Sequence, residues 1–261
     1  MKRIIKSVVI FLFIYLIFGL IQYSFALKPD EALQMLKDGN KRFLTHNLRS
    51  TCICETCDLY INREWREENN CNLTTPEQSA CLIGEQHPFA TIISCSDSRI
   101  VPEILFDTGM EDLFVIRVAG NTWDEVVLGS IEYGVTHAHT PVLVVMGHQH
   151  CGAITATVNA VLEKEWPEGK YIKRIIIKLL PPVLNAIKEL GWYAPKEEII
   201  DLAIKKNVKN MINLIRRNSR IVRELEEEGK LKMLGAVVYM EGNPDKNIAP
   251  GEVVFEDDPR W

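Results

Sequence analysis

Two apolar runs that each break off into a cluster of metal-ligating side chains constrain this chain most. In the first, Phe89-Ala-Thr-Ile-Ile93, the β-branched residues read as a buried strand, which gives way to Ser94-Cys95-Ser96-Asp97-Ser98-Arg99. The second, Pro141-Val-Leu-Val-Val-Met146, is apolar throughout and empties into Gly147-His148-Gln149-His150-Cys151-Gly152. Ligands of open α/β sheets sit at strand ends. Two such strands ending side by side bring Cys95 together with His148 and Cys151. Two thiolates and an imidazole form a soft set suited to zinc, with a fourth position left for water. Asp97 and Arg99, two apart on an extended segment, face each other as an ion pair. Taken alone, the first run reads equally as a structural cysteine beside a polar turn, and an H-x-x-C alone is a weak signal. The two motifs at two strand ends point to one site.

The pair Cys95-Ser-Asp97-Ser-Arg99 and Gly147-His148-x-x-Cys151-Gly152 resembles the beta-class carbonic anhydrases. The resemblance extends to Asp112-Leu-Phe-Val-Ile-Arg117-Val-Ala-Gly-Asn121 and Gly129-Ser-Ile-Glu-Tyr-Gly134, and runs from about Pro29 to the C-terminus. It implies zinc on Cys95, His148 and Cys151, which would activate a water for attack on carbon dioxide, with Asp97 and Arg99 as the catalytic pair that takes and positions its proton. It also implies a substrate-binding set of Gln86, Phe114, Ala119, Tyr133 and Gly152, partly across a dimer contact. Carbon dioxide and bicarbonate are then the small-molecule partners, and a homodimer or dimer of dimers the assembly. Relatives that shut the site with the aspartate typically carry Trp three residues before the first cysteine; Ile92 stands there here, so an open resting site is expected. A carbon disulfide or carbonyl sulfide hydrolase on the same fold is an alternative, as is a non-catalytic zinc-stabilised scaffold.

Residues 1–26 read as a signal peptide: Lys2, Arg3 and Lys6, an apolar stretch from Val8 to Ile21, then Ser24-Phe-Ala26 as a processing site. An uncleaved anchor helix is the competing reading; the small residues Ser24 and Ala26 favour cleavage, which leaves no stable membrane span and an exported protein, periplasmic or secreted. Removing the leader takes away three cations and no acid, moving the formal charge from −5 to −8. That acidic balance, with no basic cluster outside the leader, argues against nucleic acid as a partner. Residues 27–261 suffice for a single domain with one substantial core. Five of the seven cysteines, Cys52, Cys54, Cys57, Cys71 and Cys81, fall in a polar insert at about 47–84. In an exported chain this clustering predicts disulfides, with one thiol left over or paired between chains; a second zinc site is the alternative.

The remaining pattern alternates strand and helix, giving an α/β fold with a mainly parallel central β-sheet flanked by helices. Ala32, Leu33, Leu36, Asn40 and Phe43 recur at helical spacing after Pro29, an N-terminal helical arm. Pro102–Phe106 reads as a helical turn, Leu113–Val118 as a strand whose Arg117 must be paired or at an interface, and Asp124–Thr136 and Gly152–Leu162 as helices. Helical material over 164–207 is expected to break at Pro181-Pro182. A long apolar stripe follows from Ile199 to Ile215, then a last core strand at Leu231–Met240 and an edge strand at Glu252–Phe255.

Overall fold

The computed structural model describes residues 27–51 and 63–261. The leader and Cys52, Cys54 and Cys57 lie outside these residues. Five strands, β3 (Ala90–Ser94), β4 (Leu113–Arg117), β5 (Val142–His148), β6 (Lys232–Tyr239) and β7 (Glu252–Phe255), form one sheet in the order β4-β3-β5-β6-β7. The first four run parallel and β7 is antiparallel to β6. β3 and β5 are buried along their whole length, which explains why neither run alternates with polar residues: helices cover both faces.

Successive side chains of the strands feed two cores. On one face Ile93, Leu143, Val145, Met233 and Val237 pack under α5 (Glu125–Thr136), α6 (Gly152–Leu162), α7 (Lys170–Leu190) and α8 (Lys196–Asn218). On the other, Ile92, Val142, Val144, Met146 and Leu234 meet Ala32, Leu33 and Leu36 of α1 (Pro29–Leu44) and Leu105 of α4 (Pro102–Leu105). The N-terminal helix thus buries its apolar stripe on its own sheet. Asn40 fixes that docking by donating to the carbonyls of Leu105 (3.0 Å) and Gly251 (3.3 Å) and accepting from the Val253 N–H (2.9 Å).

The structure corrects the expected break at Pro181-Pro182, since α7 runs unbroken through both. A proline inside a helix costs about 3 kcal/mol. Here Leu179, Pro182, Val183, Ala186 and Ile187 are all buried around the pair, and burial worth about 1.5–3 kcal/mol per large apolar side chain offsets that cost. A further helix, α9 (Arg220–Glu227), leads into β6.

The insert carries short elements of its own. β1 (Ser50–Thr51) pairs with β2 (Cys71–Asn72), and α2 (Arg63–Glu68) and α3 (Pro76–Cys81) frame a small core of Cys71 and Leu73 with Trp65, Cys81, Leu82 and Met110. Cys71 and Cys81 are each disulfide-bonded. The insert is anchored on the loop before β4: buried Arg66 pairs with Asp112 at 3.1 Å, and the Asn72 amide donates at 3.2 Å to buried Asp107, which also pairs with Arg42 of α1 at 2.6 Å. No helix among the described residues is long and apolar enough to cross a membrane.

Candidate metal centre

Register sets the site. Ile93 pairs with Val145, so Cys95, just beyond β3, comes level with the end of β5, where His148 is the last residue. Cys151 then caps the N-terminus of α6. The turn between them needs a left-handed residue, His150 at φ 55°. The ligand atoms of Cys95, His148 and Cys151 all lie within 4.8 Å of one another, and all three residues are buried.

Each donor is prepared. The His148 ring nitrogen Nδ1 sits 2.8 Å from the Gln149 carbonyl, which accepts a hydrogen bond from a protonated Nδ1 and leaves the lone pair on Nε2. Nε2 is buried with no hydrogen-bond partner, a cost a protein rarely carries unless a ligand satisfies the atom. The Cys95 thiol is held well below the ordinary thiol range, first by a hydrogen bond from Cys151 and then, against the opposing effect of burial, by the N–H groups of Gly120 and Asp97. Cys151 is pushed up, chiefly because its proton is the one Cys95 accepts and because it is buried. The two sulfurs therefore share a proton that a divalent cation would displace, and the first-turn amides of α6 at Ala153 and Ile154 favour the thiolate. A half-satisfied imidazole beside such a pair fits a soft divalent metal, zinc above all. A Cβ at Gly152 would meet nothing within 4 Å, so space remains open beside Cys151.

Asp97 and Arg99 meet as the spacing predicts. Arg99 donates to Asp97 from Nε (2.9 Å), from its terminal nitrogen (2.6 Å) and from its backbone N–H (3.0 Å), and this pairing holds the carboxyl well below the usual carboxylate range. Asp97 Oδ2 remains 4.0 Å from His148 Nε2. The Arg99 guanidinium also donates to the His150 carbonyl at 3.2 Å, tying the two ligand loops together.

Other contributors escape a reading by motif. Arg117 donates to the carbonyls of Cys95 (3.2 Å) and Asp97 (2.7 Å), so it clamps the backbone of the first ligand loop; its place in an apolar strand was the available signal. The Gly120 N–H donates to Cys95 Sγ at 3.3 Å, from a backbone at φ 65°. A Cβ there would lie 2.9 Å from side-chain carbons of both Ala153 and Leu179, so only glycine fits. Buried Asn207 holds that turn through the Gly120 carbonyl (3.0 Å) and Asn121 Oδ1 (3.3 Å); a polar residue within the apolar stripe of α8 was the clue.

The expected substrate set divides. Ala119 and Gly152 lie at the carboxyl end of the strands, next to Gly120 and Cys151. Gln86 precedes β3 and lines an open pocket of about 850 Å³ with His87, Phe89, Tyr133, His137 and Pro141. Tyr133 stacks on Phe114 at 6.0 Å and on His137 at 4.6 Å. None of the three metal-ligating residues lines that pocket, and the length of β3, roughly 15 Å at 3.3 Å per residue, separates the two ends.

The carbonic anhydrase family model matches residues 90–243. A carbonic anhydrase of Mycolicibacterium smegmatis is 46% identical over 156 residues, covering 60% of this chain and 65% of that relative. Carbonic anhydrase 2 of Mycobacterium tuberculosis is 34% identical over 217 residues, 82% of this chain and 89% of the relative. Among solved structures, the β-carbonic anhydrase CafA of Aspergillus fumigatus superposes with a TM-score of 0.59 at 23% identity, over 77% of this chain and 89% of that one. Two tetrameric β-carbonic anhydrases of Sordaria macrospora share the fold with a TM-score of 0.58 at 23% identity, over 77% and 95%.

Proposed function

Because this chain belongs to the beta class of the carbonic anhydrase family, we propose that it catalyses the reversible hydration of carbon dioxide to bicarbonate and a proton, with zinc held by Cys95, His148 and Cys151. The carrying observation is the buried, partnerless His148 Nε2 beside two thiols, with the ligand atoms within 4.8 Å. Those three residues would hold a zinc ion, which would supply a nucleophile by lowering the pKa of a water from about 16 towards neutrality.

The chain's own residues do the rest. Asp97, kept ionised and aimed by Arg99, accepts the proton of the attacking water. Arg117 and Gly120 fix the backbone of the loop that carries Asp97 and the sulfur of Cys95. Because Arg99 holds both Asp97 oxygens, the resting site is open, in keeping with Ile92. Gln86, Phe114 and Tyr133 bind substrate for the site of a second copy, which makes a dimer the smallest complete unit; the tetramers of the fungal neighbours suit a dimer of such dimers.

The protein is exported, by this reading, after cleavage behind Ala26, and disulfides staple the insert; the leader pattern and the bonded Cys71 and Cys81 support it. Stopped-flow hydration of carbon dioxide with zinc analysis tests the activity: the parent hydrates, Asp97→Asn loses rate and keeps zinc, and Cys151→Ser loses both. One zinc per chain without hydration would leave a scaffold, and turnover of carbon disulfide or carbonyl sulfide alone would move the activity to that hydrolase class.

A further inference from the structure

The insert places a guanidinium in the pocket that holds Gln86. Arg63, the first residue of α2, lines that pocket with Gln86, His87 and Tyr133. Its side chain donates to the His87 carbonyl, and its Cζ lies 5.4 Å from the centre of the Phe89 ring. Both contacts fix position without neutralising charge.

No carboxylate forms an ion pair with Arg63 among the described residues. The nearby acids pair with other cations: Arg66 reaches Asp112 at 3.1 Å and Glu111 at 4.0 Å, Glu111 also accepts from the His87 N–H at 3.1 Å, and Arg49 pairs with Glu67. Arg63 Nε is buried without a hydrogen-bond partner. Burial pulls its pKa down from the usual arginine value and the Arg66 cation adds to that, outweighing the opposing pull of Asp112, Glu111 and Glu67. A half-buried guanidinium that forms no ion pair, set against an apolar ring in the pocket it shares with the Gln86 amide, is a site for a small planar oxyanion.

We infer that Arg63 is a specificity-determining residue that the insert adds to the substrate pocket, anchoring bicarbonate beside Gln86. This rests on the carbonic anhydrase reading and deepens it. Carbon dioxide carries no net charge and bicarbonate does, so a fixed cation there discriminates between the two ends of the reaction. It tightens the hold on the anion and leaves recognition of the neutral gas to Phe114 and Tyr133. The insert is then part of the binding machinery, although its sequence carries none of the ligand motifs.

The test uses the full zinc-loaded oligomer of the parent, Arg63→Ala, Arg63→Lys and Arg63→Gln. In Arg63→Ala, the KM for bicarbonate in dehydration and the inhibition constant of bicarbonate during hydration rise about tenfold, the loss expected for one charge-assisted hydrogen bond. The KM for carbon dioxide moves less than about threefold, and Arg63→Lys falls between the parent and the alanine variant. Should Arg63→Ala not fold, Arg63→Gln, which keeps a donor for the His87 carbonyl, loses bicarbonate affinity to a similar extent. Bicarbonate constants equal to the parent's in every folded variant, or a KM for carbon dioxide rising as much as that for bicarbonate, would overturn the inference while the activity stands. A zinc-loaded parent that hydrates nothing would remove the activity itself, and the role of Arg63 with it.

Discussion

The two ends of strand β3 present opposite designs. At its carboxyl end Cys95, His148 and Cys151 are almost fully excluded from solvent, at 5%, 0% and 1% exposure; Arg117 and Gly120 hold Cys95 with hydrogen bonds, and Arg99 ties its loop to the His150 carbonyl of the other. At its amino end Gln86 is exposed and Tyr133 is 47% exposed, in a pocket open to solvent. The Cys95, His148 and Cys151 cluster is assembled within one chain, whereas the pocket that Gln86 and Tyr133 line opens to solvent. Precise ligation needs rigid, buried supports, whereas the substrate wall proposed at the amino end would be completed only when two copies meet.

Changes at the carboxyl end should be the most severe. Cys151→Ser takes away one of three protein ligands and should lower zinc content from near one per chain to near zero, with hydration down by about 100-fold or more; metal analysis and stopped-flow rates check both. Asp97→Asn leaves the ligands intact, so zinc stays while the rate falls about 100-fold, the usual scale for a lost proton acceptor. Retention of most of the rate would sink the assignment of Asp97.

The amino end is best probed by complementation. Chains carrying Gln86→Ala and chains carrying Cys151→Ser are each impaired, yet hybrid dimers contain one site with a sound metal centre facing a sound wall. Co-refolding equal amounts should recover about a quarter of the parent's sites, as random pairing in a twofold dimer dictates. If no activity returns although hybrids form, each chain must use its own Gln86, and the contrast between the two ends collapses.

The mildest change is expected at the support of Cys95. Gly120→Ala forces a Cβ to within 2.9 Å of Ala153 and Leu179 at a positive φ. It should cost about 2 kcal/mol or more, lowering Tm by roughly 4–8 °C for a domain of this size. Thermal unfolding of the metal-free protein isolates this effect from zinc binding; an unchanged Tm would mean that the turn adapts.

Reading the motifs singled out Cys95, His148 and Cys151, which the fold brings together, because their chemistry lies in residue type: a strand that ends in cysteine and another that ends in H-x-x-C announce donors before any contact is known. It did not give Asn207, which lies 87 residues from Gly120, nor the embrace of Cys95 and Asp97 by Arg117, because a hydrogen bond between distant segments leaves no local pattern. The prolines of α7 misled for a related reason. Local propensity opposes the helix there, and only the buried face packed against α6 and α8 tips the balance.

What the sequence determined by itself was local: the apolar strands, the helical stripes, and the sulfur, imidazole and carboxylate groups at their ends. The tertiary structure decided which of those groups meet. Pairing of Ile93 with Val145 brings Cys95 to His148, while the length of the same strand keeps Gln86 at the far end of the sheet. Strand register is a cooperative outcome of packing both faces at once, and a linear pattern of residues cannot specify it alone.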